Sequence, residues 1–174
     1  MKLITTAFAF LLLACGTGIA QWNRGGERVA DTADRKSVND FGGHLIIVEN
    51  PKAFIEEWQK PETPNINTVT DVKRGELIGA FVLFVGCKPD AQRICNSEVD
   101  YSVYKPDGTL YAERKNQPLW KEEAPLAPNI QLSRAILGIR MEKNDPSGEY
   151  RVKAKVSDLN ADISFELETT FRLK

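Results

Sequence analysis

The 174-residue sequence predicts an all-β fold, an antiparallel sandwich of about seven strands with one short helical turn. Three observations carry that expectation. Near the C-terminus, Tyr150, Val152, Ala154 and Val156 alternate with Glu149, Arg151, Lys153 and Lys155, and Ile163 to Leu173 repeats the same period of two along its whole length. Leu77 to Cys87 is a continuous apolar run rich in β-branched and aromatic residues, with Gly79 and Gly86 arguing against a helix. Turn formers separate these runs, as in Lys105-Pro106-Asp107-Gly108.

Residues 1–20 read as a secretory signal peptide: Lys2 precedes an apolar run from Leu3 to Ala14, and small residues follow at Gly16, Gly18 and Ala20. The run is shorter than the roughly 20 apolar residues needed to span a bilayer. Two products remain open. A cut before Gln21 fits small residues at Gly18 and Ala20, whereas Leu12-Leu13-Ala14-Cys15 resembles the bacterial lipobox, whose cysteine is lipidated. The chain is therefore expected to be periplasmic or secreted, or else lipid-anchored at Cys15. Membrane attachment is expected only in the second case.

Residues 21–42 are polar and glycine-containing without an apolar period, which predicts a flexible N-terminal arm. A single domain over 43–174 follows. His44 to Glu49 is the first strand candidate, stopped by Asn50-Pro51, and Pro51 opens a helical turn with Phe54, Ile55 and Trp58 on one face. Pro61 and Pro64 end it, leaving 61–67 as an irregular connection. The apolar run from Leu77 fits the centre of a sheet covered on both faces. Val99, Tyr101 and Val103 then alternate with polar neighbours, and the turn at Pro106 and Gly108 leads into Thr109 to Glu113 to make a hairpin. Pro118, Pro125 and Pro128 predict a loop over 115–129 that holds Trp120, because proline donates no ladder hydrogen bond. Ile130 to Met141 is the next strand region.

Net charge is −1, with acidic and basic residues interspersed, so no basic field for nucleic acid exists. Export makes a Cys87–Cys95 disulfide the expectation, since these are the only cysteines beyond the leader. Their C-x7-C spacing is not that of a redox C-x-x-C pair.

The run Asp145-Pro146-Ser147-Gly148-Glu149-Tyr150-Arg151-Val152 resembles the D-x-G-x-Y-x-C entry to strand F of immunoglobulin-like domains. The resemblance implies a bacterial immunoglobulin-like, fibronectin-type or macroglobulin-like sandwich. It makes Tyr150 the corner tyrosine, set by Asp145 and Gly148, and Val152 a core residue. The chain departs from the antibody pattern, with Val152 in place of the second cysteine and neither Trp58 nor Trp120 at the strand C tryptophan position. Function does not follow from such a fold.

Candidate chemistry is sparse. His44, the sole histidine, opens an apolar strand without a nearby cysteine or serine motif. Asp158-x-Asn160-x-Asp162 starts like a calcium loop, but Ile163 stands where glycine is required and Thr169 where glutamate is. A second calcium arrangement would bring Asp145 and Asp158 together at one end of the sandwich. No phosphate loop, nucleophile elbow or zinc motif is present in the sequence. No catalytic residue, cofactor or metal is therefore expected. Tyr104, Tyr111 and Trp120 are the candidates for an aromatic partner-binding patch. The resulting expectation is a non-catalytic exported envelope protein that binds a protein or surface component, the alternatives being a carbohydrate- or calcium-dependent module or an enzyme inhibitor.

Overall fold

The computed structural model describes residues 22–24, 27–62, 64–126 and 129–174, so the leader, Cys15 and both processing readings lie outside it. In chain order the elements are β1 (Asn23–Arg24), β2 (Glu27–Arg28), β3 (Arg35–Val38), β4 (Phe41–Glu49), α1 (Pro51–Trp58), β5 (Asp71–Val72), β6 (Leu77–Val85), β7 (Ser97–Tyr104), β8 (Leu110–Trp120), β9 (Gln131–Leu132), β10 (Leu137–Arg140), β11 (Gly148–Asp158) and β12 (Ile163–Leu173). One sheet runs β10-β6-β4-β3, with β9 also on β6. The facing sheet runs β5-β12-β11-β7-β8.

All pairings are antiparallel except the short β5–β12 contact. With β6, β7, β11 and β12 in the roles of strands B, C, F and G, this is an immunoglobulin-like sandwich order. The alternating strands place Val152, Ala154, Val156, Leu167 and Phe171 in the core between the sheets. Tyr101, in the middle of strand C, is buried there, and its hydroxyl donates to Ala135 O at 3.3 Å. Burial drives its phenol pKa strongly upward.

The apolar run of β6 is explained by cover on both faces. Ile78, Ala80, Val82 and Phe84 enter the inter-sheet core, while Phe81 and Leu83 join Ile46, Val48 and Phe54 in a second cluster beneath α1. Asn50 caps that helix, its side-chain oxygen accepting from Ala53 N. Pro51 lies so close over Gly79 that a Cβ there would meet it at 2.8 Å.

The sequence expectation fails in four places. Residues 21–42 are not simply an arm: β3 pairs with β4, Glu168 N bonds Ala33 O at 2.8 Å, and the Lys36 ammonium donates to Glu166 O at 2.7 Å. This segment closes one side of the sandwich through its backbone, which leaves no apolar period to read. Strand β4 begins at Phe41 and not at His44. The expected loop over 115–129 is strand as far as Trp120, and Pro118 is accommodated because β8 is an edge strand with register shifts. Finally, 130–141 is two short strands joined by a buried Ser133 whose hydroxyl donates to Ala135 O.

Trp22 also belongs to the fold. It is buried over Gly42, makes an edge contact with His44 at 6.1 Å, and donates from Nε1 to Lys36 O at 3.3 Å. Burial depresses the His44 pKa; the Asp34 carboxylate 3.2 Å away opposes that shift, and Arg35 adds to it. A histidine with a depressed folded pKa contributes stability above its unfolded value of about 6.5, and this contribution fades as pH falls toward the lower folded value. The urea midpoint should therefore drop between about pH 7 and pH 5. His44→Gln should flatten that part of the profile.

Candidate functional site

The two ends of the sandwich differ. At one end, Gly148 stands at φ 137° where a Cβ would collide with Pro106, and Tyr150 donates its hydroxyl to Pro146 O at 2.9 Å. This is the tyrosine corner that the sequence implied. The Asp145 carboxylate accepts from the Tyr111 hydroxyl at 2.7 Å and from Glu142 N at 2.6 Å. Burial and then this carboxylate push the Tyr111 phenol pKa well up. Arg74 ties the corner to the end of β12, bonding Lys143 O, Asp145 O, Ser147 Oγ and Lys174 O. Each of these groups serves the turn. Tyr150→Phe should lower stability by about 1 kcal/mol, read from the thermal midpoint, with the fold intact.

The other end is built from three loops. The first connects β6 to β7 and contains the Cys87–Cys95 disulfide. The second follows Trp120, and the third joins β11 to β12. Asp158 organises the set: its fully buried carboxylate accepts from Lys88 N at 2.6 Å, Asn160 N at 3.1 Å and Ala161 N at 3.3 Å. Asn160 returns two bonds to the disulfide loop, at Lys88 O and Ile94 O. Cys95 N bonds Glu122 O and Ala124 N bonds Arg93 O, so the second loop is stitched to the first. Beside them opens a cleft of about 450 Å³ lined in part by Asp40, Phe41, Lys88 and Asp158.

Trp120 anchors this end. Its ring meets Phe84 at 5.6 Å, its Nε1 donates to Glu123 O at 2.9 Å, and the Arg134 guanidinium lies 4.5 Å from the ring centre. Arg134 also forms a two-pronged bond to Glu122, and this bond holds that carboxyl below its ordinary pKa. Arg93 pairs with Glu123 at 3.4 Å. Among the side chains the loops leave exposed are apolar ones, Leu126 at 72%, Leu159 at 50%, Ile130 at 45% and Ile94 at 37%, set among the charged Lys88, Asp90, Lys121 and Asp162.

These positions correct two expectations. Tyr104, Tyr111 and Trp120 do not form one patch. Tyr104 faces Leu110 across the hairpin and Trp120 faces Ser97, seven residues along β7 and so about 23 Å away. Tyr111 is committed to the corner, and Arg151 lies over Tyr104. The calcium arrangements are also displaced. Asp145 and Asp158 flank opposite ends of β11, and the Asp158 carboxylate is surrounded by N–H donors, which leave little room for a cation. Among the described residues no cluster of three or more His, Cys, Asp or Glu side chains suits a metal. Sequence reading missed Arg134 and the exposed Leu159, and it took Asn160 only as part of a calcium-like turn and not as a tie to the disulfide loop, because these parts depend on which loops meet.

No family model and no curated protein matches the chain. Similar solved structures include a Niemann-Pick type C2 protein from the Japanese carpenter ant, 11% identical over 75% of this chain and 89% of that one, with a TM-score of 0.41. An immunoglobulin-like protein from Pseudomonas aeruginosa is 17% identical over 76% of this chain and 91% of that one, with a TM-score of 0.35. A family 123 glycoside hydrolase from Clostridium perfringens is 10% identical over 78% of this chain, with a TM-score of 0.41, and the chain spans only 27% of its length. With all three TM-scores below 0.5, the assignment to an all-β, immunoglobulin-like sandwich rests on the strand order of the chain itself.

Proposed function

We propose that this protein is a non-catalytic module of the bacterial envelope that binds a protein or surface component through the loop end of its sandwich. One observation carries the reading: the disulfide-closed β6–β7 loop is fixed to the β11–β12 loop by the buried Asp158 carboxylate and Asn160 and to the loop after Trp120 by backbone bonds, and the three loops present exposed Ile94, Leu126 and Leu159. Rigid loops bind at a smaller entropic cost than mobile ones, and exposed apolar side chains gain from being covered. The disulfide supports an oxidising compartment, in keeping with the signal-peptide reading of residues 1–20.

The charges support binding that is not driven by a strong field. Arg134 with Glu122 and Arg93 with Glu123 neutralise one another at the rim. The reading is tested by photo-crosslinking in exporting bacteria, with the reactive group placed in turn at Leu159 and at Leu110 on the far hairpin. Adducts from position 159 alone support it. Adducts from Leu110 alone, or from neither position, contradict it.

A further inference from the structure

The loop end and the entry of the chain into the fold lie close together. Trp22 is buried over Gly42, and Gly42 pairs with Val85, two residues before Cys87. Only residues 16–21 separate Cys15 from this anchor. Fully extended, that stretch spans no more than about 25 Å. A lipid on Cys15 would thus hold the disulfide end of the sandwich near the bilayer, and the far hairpin at Asp107 away from it. Strands β7 and β11 run between the two ends.

From this we infer that the loop end is a membrane-docking surface, with Leu126, Leu159 and Ile94 entering the interfacial layer of the bilayer to which Cys15 is attached. The inference rests on the loop-end reading above and on the lipobox reading of Leu12 to Cys15. Two features favour a lipid surface as the occupant. The short tether keeps the loop end within about 25 Å of the lipid that Cys15 would carry, and Leu126, Leu159 and Ile94 are exposed at that end. The rim charges are of both signs, with Arg134 paired to Glu122, Arg93 paired to Glu123, and Lys88 offset by Asp90 and Asp162, so this end presents no strong field of one sign to the headgroups. Docking should accordingly depend little on the fraction of anionic lipid.

The test uses the full chain expressed with its leader and purified from membranes, and intact mass first reports whether Cys15 carries lipid. Single variants Leu126→Cys, Leu159→Cys and Leu110→Cys are then labelled with an environment-sensitive fluorophore. The native pair is bridged and Cys15 is capped by its lipid, so the introduced thiol is the only free one. Each protein is reconstituted into phosphatidylethanolamine–phosphatidylglycerol vesicles. A blue-shifted probe quenched by brominated lipids at 126 and 159, but not at 110, is the expected result. Leu110 is 51% exposed and so controls for apolarity alone.

An unmodified N-terminus at Gln21 would remove the tether and overturn the proposal at its base, leaving the loop-end reading intact. Lipidated protein with the same unshifted spectrum at all three positions would overturn docking alone. Burial of 126 and 159 that requires an added envelope protein fraction would replace the bilayer with a protein partner.

Discussion

Asp158→Ala should lower the free energy of unfolding by about 3 kcal/mol, because three backbone N–H groups lose their acceptor at once and the Lys88 amide is partly buried. Asp158→Asn should cost roughly half of that. The amide keeps one oxygen for Asn160 N and Ala161 N but turns an N–H toward the Lys88 amide. Urea unfolding gives both values. Since Asn160 belongs to the same network, adding Asn160→Ala to Asp158→Ala should cost less than the two single changes summed. An additive result would mean that the loops are held independently of one another.

Removing the disulfide should produce the second large effect. Cys87→Ala with Cys95→Ala releases a nine-residue loop, worth about 2–3 kcal/mol on the chain-entropy model, and leaves a void where both sulfurs are buried. The loss should appear as a lower urea midpoint. Asp90, whose carboxylate accepts from Gln92 N and Ile94 N, should keep a turn in place, so the loop loosens without melting. Hydrogen exchange at Ile94 and Cys95 should accelerate far more than at Tyr101 in the neighbouring strand. Equal acceleration at both would show that the bridge supports the whole sandwich and not the loop.

Strands with a strict period of two were legible because one of their faces is wet. Strands β11 and β12 are there from end to end, and β6 sits in the covered centre that its apolar run predicts. The tyrosine corner was legible for a different reason: glycine at φ 137° and a tyrosine two residues on leave a local mark. Segment 35–38 left none, since RKSV is held in the sheet by its backbone and by Gly42 and Gly43 beside it. The loop end was the least legible. Leu159, Ile94 and Leu126 are unremarkable residues until Asp158 and Asn160 bring the β6–β7 and β11–β12 loops together, and the β6–β7 loop is stitched in turn to the one after Trp120. Residues so far apart in sequence carry no shared period. The aromatic residues misled for the converse reason, because Tyr104 and Tyr111 are close to Trp120 in sequence yet lie at the other end of the same hairpin.

The most direct test of the loop end as the binding surface is hydrogen exchange of the protein bound to native envelope membranes, compared with the same protein in detergent. Amides at Asp90 to Cys95 and Leu159 to Ala161 should slow on binding, while those at Lys105 to Thr109 on the opposite hairpin should not change. Slowing confined to the opposite hairpin or to the outer face of β11 and β12, with the loop amides unaltered, would contradict the account.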